Sequence, residues 1–137
     1  MNFLLDTNVC IGLINGKPAS TRIRFQEALA TGNTLYVSSI FTFELWYGIA
    51  RSSQREANKK RLRTFLAAPI TSLPFEGEDA EAAGTLTATL EAAGRPIGAY
   101  DLLIAGQALR HRMTLVTANV SEFGRVKGLA WQDWGKS

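Results

Sequence analysis

One cysteine and one histidine are all that the sequence contains of the side chains most often recruited for thiol and imidazole chemistry. The single Cys10 cannot close an internal disulfide, a usage that fits a reducing compartment. It reads as a small helix residue without thiol chemistry. The single His111 excludes any mechanism that needs a pair of histidines. It lies in Arg110-His111-Arg112 at a helix end, where the helix dipole favours a surface cation. The glycines form no GxxxxGK[ST] phosphate loop. No apolar run is long enough to cross a membrane: the longest uncharged stretch, 28–43, carries Gly32, Asn33 and several hydroxyls. The opening Met1-Asn2-Phe3-Leu4-Leu5-Asp6 has no basic start, and the acid interrupts its apolar run. No secretion signal is therefore expected, and the chain reads as cytoplasmic. There is no internal repeat, low-complexity tract or linker.

What is present describes an ordinary folded domain. The apolar fraction is 46% and the charged fraction 20%, both typical of a globular chain. A length of 137 residues permits a real core, so a single domain over 1–137 needs no disulfide or metal staple. The net charge of +3 permits a polyanionic partner without demanding one.

Phe3-Leu4-Leu5, Leu35-Tyr36-Val37, 70–73 and Leu115-Val116 are short, continuous apolar runs. Strands of that kind are buried on both faces, as in a parallel sheet covered by helices. Helical segments fall between them, at 19–30, 40–51, 54–66, 78–93 and 101–110. Strands alternating with helices predict an α/β fold. Turns are marked by Gly16-Lys17-Pro18, Thr31-Gly32-Asn33, Ala68-Pro69 and Gly94-Arg95-Pro96.

Among the twelve acids, most keep polar helical company, as Glu76, Glu78, Asp79 and Glu81 do. Three do not. Asp6 follows Phe3-Leu4-Leu5 directly, Glu44 lies within Phe41-Thr42-Phe43-Glu44-Leu45-Trp46-Tyr47, and Asp101 opens Asp101-Leu102-Leu103-Ile104-Ala105. Burying a carboxylate without compensation is costly, and no base lies within three residues of any of them. A divalent cation is one compensation, because hard ions such as Mg²⁺ and Mn²⁺ prefer carboxylate oxygens. Helix capping is another, open to Asp6 and Asp101. It is closed to Glu44. In an open α/β sheet, sites form beyond the carboxyl ends of the strands, and all three acids can face that edge.

These residues also carry a resemblance. Leu4-Leu5-Asp6-Thr7-Asn8 resembles the opening motif of PIN-domain nucleases, in particular the VapC toxins of bacterial toxin–antitoxin pairs. Ser38-Ser39-Ile40-Phe41-Thr42-Phe43-Glu44-Leu45-Trp46-Tyr47-Gly48 is similar to their second motif. Gly94-Arg95-Pro96-Ile97-Gly98-Ala99-Tyr100-Asp101-Leu102-Leu103-Ile104-Ala105 is similar to the third, and Val116-Thr117-Ala118-Asn119-Val120-Ser121-Glu122-Phe123 to the fourth. The motifs occur in order from Asn2 to about Trp134.

The resemblance implies a three-layer α/β/α sandwich around a mainly parallel sheet. It implies a Mg²⁺- or Mn²⁺-dependent endoribonuclease with tRNA as substrate class, a cognate antitoxin, a homodimer and a toxin–antitoxin hetero-oligomer. Asp6, Glu44 and Asp101 become its catalytic and metal-holding carboxylates. Thr7 becomes a hydroxyl that supports them or meets substrate, and Asn8 an orienting residue. Asn119 stands where many relatives carry Asp, with Glu122 three residues on. Either could complete the metal site, and Asn119 could equally orient it. A PIN-like module that only binds RNA or protein is the alternative. Phosphate contact is expected from Arg51, Arg55 and Lys59, which would share one face if their helix were continuous. Phe41, Phe43, Trp46 and Tyr47 read as core or partner surface, with base stacking second.

Overall fold

The fold is built on the most apolar stretch, at the start of the chain. A computed structural model describes residues 1–136. In β1 (Asn2–Leu5), Phe3, Leu4 and Leu5 are 6%, 0% and 0% exposed. Successive strand residues point to opposite faces, so consecutive burial means that both faces are covered. Leu115 and Val116 of β4 (Thr114–Val116) are buried in the same way.

Five parallel strands lie in the order β3-β2-β1-β4-β5, the others being β2 (Thr34–Ser38), β3 (Thr71–Leu73) and β5 (Trp131–Gln132). The helices are α1 (Thr7–Asn15), α2 (Ala19–Ala30), α3 (Ser39–Arg51), α4 (Arg55–Leu66), α5 (Gly77–Ala92), α6 (Ala99–His111) and α7 (Val120–Phe123). The chain steps from β1 to β2 to β3 in one direction, then crosses back to β4 and β5. Right-handed crossovers therefore place α1 to α4 on one face and α5 and α6 on the other. The helix contacts agree: α1 packs on α2, α3 and α4, while α5 packs chiefly on α6. This is the three-layer sandwich expected.

Leu5 is level with Val37 on one side and Val116 on the other. The carboxyl ends of β1, β2 and β4 therefore share one edge. The strand order reverses beside β1, the position at which open α/β sheets form their clefts.

Several expectations are corrected. β3 is an edge strand and two of its three residues are exposed, so its apolar neighbour Ile70 did not signal burial on both faces. α7 and β5 have four and two residues, too short to show a hydrophobic period. Asp79 is not on a polar face: it is 0% exposed, and its carboxylate accepts from Arg110 Nε at 2.6 Å. His111 is not a free surface residue either, since its Nε2 lies 3.4 Å from the same carboxylate.

Candidate active site

Asp6 leaves β1 and immediately caps α1. One carboxylate oxygen accepts from the Val9 amide at 2.9 Å, so the capping alternative is realised. The other accepts from the Thr117 hydroxyl. Asp6 N–H also donates to the Val116 carbonyl at 3.1 Å, which extends the β1–β4 pairing past the strand ends. The residue is only 4% exposed, and burial raises its pKa. The Thr117 bond and the Val9 and Asn8 amides oppose that rise, while Glu44 adds repulsion.

Glu44 projects from α3, which Ser38 starts by accepting from the Ile40 amide at 3.1 Å. Phe41, Leu45 and Ile49 bury one stripe of this helix. Glu44 stays half-buried, and Thr7 Oγ1 donates to its Oε1 at 3.1 Å. A hydroxyl from α1 thus holds the acid of α3.

Asp101 is in the first turn of α6, next to the Gly98 cap. Asn119 bridges it to Glu122: the carboxamide nitrogen lies 3.4 Å from Asp101 Oδ2 and 3.0 Å from Glu122 Oε2. Burial comes first in pushing Asp101 up to about 7. A hydrogen bond shared with Glu122, and repulsion from Glu122, Asp6 and Glu44, add to it. Glu122 receives that bond and is held below the usual carboxylate range.

The fold therefore gathers Asp6, Glu44, Asp101, Asn119 and Glu122 at one edge, with Thr7 beside them. Among the described residues, no Lys, Arg or His forms a salt bridge with any of the four acids. Nor do three of the described acids already close around a single point. A Mg²⁺-like ion does not require that, because it typically uses one or two carboxylates and fills its shell with water and phosphate oxygen. The donor set suits a hard cation: carboxylate and amide oxygens, with no thiolate or imidazole among them.

Other expected residues stand apart. Asn8 is exposed, and it is its backbone amide, not its carboxamide, that bears on Asp6. Arg51, Arg55 and Lys59 do not form one stripe. α3 ends at Arg51 and α4 begins at Arg55. Ser52 intervenes, and its hydroxyl accepts from the Gln54 amide at 3.0 Å and from Asn58 Nδ2 at 2.8 Å. The Ser52-Ser53 pair was the sequence signal for this break. Arg51 lies over the Tyr47 ring at 5.3 Å, and Lys59 is 3.5 Å from Glu56. Phe41 is core, whereas Phe43 and Tyr47 are half-exposed and stacked, with Tyr100 edge-on to Phe43 at 5.9 Å. Thr117 was given no role in the sequence. Its signal was register, since it follows Val116 as Asp6 follows Leu5.

Residues 3–129 match the PIN domain family. Over 99% of this chain and the whole of its own length, "Ribonuclease VapC2" of Rickettsia felis is 39% identical. The "tRNA(fMet)-specific endonuclease VapC" of Shigella flexneri is 40% identical over 98% of each chain. A crystal structure of VapBC2 from Rickettsia felis, bound to a DNA fragment from their promoter, superposes with a TM-score of 0.89. That match is at 37% identity and covers 96% of this chain and 98% of the other. The chain belongs to the PIN domain family, and within it to the VapC group.

Proposed function

We propose that the protein is the toxin of a toxin–antitoxin pair: a metal-dependent endoribonuclease, built as one PIN-like domain over 1–137, that cleaves RNA of the tRNA class. Asp6, Glu44 and Asp101 are its catalytic carboxylates. Together with Glu122 they hold Mg²⁺ or Mn²⁺, and Asn119 orients Asp101 and Glu122. The observation that carries the reading is a cluster in which Asp101 is repelled by Asp6, Glu44 and Glu122, with no salt bridge to any of the four acids among the described residues, although the Arg125 charge favours ionised Glu122. A cluster of this kind is stable only when its charge is offset.

Each protein group has a separate task. Asp6 is locked by the Thr117 hydroxyl and the Val9 amide, with the Asn8 amide beside them, so its carboxylate keeps one orientation. Thr7 holds Glu44 against rotation away from the cleft. Asn119 keeps Asp101 and Glu122 together despite their repulsion. Asp6, Glu44, Asp101 and Glu122 would hold the divalent ion, which when bound would supply a lowered pKa for a water and an offset for phosphate charge. The basic side chains Arg55 and Lys59 on α4, with Arg51 at the end of α3, are proposed to meet RNA phosphates as separate contacts.

The relatives' names support RNA, and for the Shigella flexneri protein tRNA(fMet), as substrate class. The VapBC2 complex supports a second protein, the antitoxin, as partner in a hetero-oligomer, to which a toxin homodimer is the proposed contribution. Among the described residues no helix is long and apolar enough to cross a membrane.

The test is cleavage of a tRNA pool with Mn²⁺, with and without EDTA, beside Asp6→Asn. Cleavage by the wild type alone is expected. EDTA should abolish it, and the substitution should lower it by more than about 100-fold, beyond the usual cost of an outer-shell change. Cleavage that survives both treatments contradicts the reading. Tight RNA binding without cleavage over a broad RNA panel would instead favour a binding module.

A further inference from the structure

Thr117 is the only residue among those described whose side chain joins the Asp6 half of the site to the Asn119 half. It is 0% exposed and follows the last residue of β4. Its own N–H donates to the Gln132 carbonyl at 2.9 Å, so β5 fixes the backbone at this point. The β-branched side chain has little rotational freedom. Its Oγ accepts from the Asn119 N–H at 2.9 Å. Its one hydroxyl proton is given to Asp6 Oδ2.

That arrangement has a mechanical consequence. A hydroxyl has one proton to donate, and the only hydrogen bond it donates here is to Asp6. Val9 takes the other carboxylate oxygen, so the plane of the Asp6 carboxylate is set by donors on both sides. Asn119, anchored through its backbone to the same hydroxyl, extends its carboxamide to Asp101 and Glu122. The spacing between the two halves of the acid cluster therefore passes through one oxygen atom. Residues that orient ligands in this way are worth roughly 10–100-fold in metal affinity.

We propose that Thr117 is a positioning residue. It holds the Asp6 carboxylate in register with the Asp101–Asn119–Glu122 group, so that a divalent cation can be shared between them. The inference rests on the proposed metal-dependent activity and goes beyond it by assigning the residue that sets the geometry.

The test compares the wild type with Thr117→Val and Thr117→Ser by calorimetric titration with Mn²⁺. Folding is checked by circular dichroism, and RNA binding is measured in EDTA. Valine keeps the shape and removes the hydroxyl, while serine restores it. The expected result is Mn²⁺ binding weakened about 10–100-fold in Thr117→Val, with recovery to within about 3-fold in Thr117→Ser. RNA binding in EDTA should be unchanged in both. If Thr117→Val does not fold, Thr117→Ser decides alone: near-wild-type Mn²⁺ affinity supports the role of the hydroxyl, and a loss as large as 10-fold contradicts it. Wild-type Mn²⁺ affinity in a folded Thr117→Val overturns this inference and leaves the metal reading intact. No Mn²⁺ binding by the wild type overturns both.

Discussion

At the scale of single residues, Asp101 shows how the acid cluster loads one of its members. Burial and three neighbouring acids push its pKa from 3.8 up to about 7. The folded state thus holds the proton more tightly than the unfolded chain does. In the metal-free protein, ionising Asp101 therefore costs stability. That cost grows as the pH rises from about 4 to about 7 and is complete above it. Asp101→Asn removes the charge, so its melting temperature without metal should exceed the wild type's at pH 8. The difference should shrink towards zero near pH 4, as read by thermal denaturation in EDTA. A variant that is less stable at pH 8 would show that Asp101 is compensated within the fold. Asp6, Glu44 and Asp101 were legible in the sequence because each sits among apolar neighbours. Asp79 was not. Its burial depends on Arg110, 31 residues away, and no local pattern reports such a partner.

Among the elements, α5 and α6 form the tightest helix pair and carry Asp101 on a rigid support. Their approach is closest where Gly106 faces Ala83. A Cβ added at Gly106 would fall 2.6 Å from the Ala83 Cα and 2.8 Å from its Cβ. Backbone cannot yield as a flexible side chain can, so Gly106→Ala must push the helices apart. Overpacking of this kind costs about 1–3 kcal/mol, which outweighs the gain of up to about 1 kcal/mol from the better helix former. The substitution should lower the melting temperature by several degrees and weaken Mn²⁺ binding, because α6 moves with Asp101. A melting temperature at or above that of the wild type would refute the tight contact. The strands β1, β2 and β4 were legible from composition, since burial on both faces leaves a continuous apolar run. The two-residue β5 and the single turn of α7 were not, being too short to show a period, whereas the α3–α4 break was legible at Ser52-Ser53 and separates Arg51 from Arg55 and Lys59.

For the whole molecule, topology does what no single element can. The reversal of strand order beside β1 leaves an open edge where Asp6, the start of α3 and the residues after β4 converge. The sequence indicated that edge through its strand-ending acids. It did not indicate that Asn119 and Thr117 tie its two sides together, because that link depends on β4 lying next to β1. If this edge is a cation site, binding to the folded state alone must raise the protein's stability. The direct measurement is the melting temperature at pH 8 as Mn²⁺ is titrated into the wild type and into an Asp6→Asn, Asp101→Asn double variant. A saturable rise is predicted for the wild type, on the order of 10 °C when Mn²⁺ reaches about 100 times its dissociation constant, with no comparable rise for the variant. An equal rise in both proteins, or none in the wild type, would contradict the account.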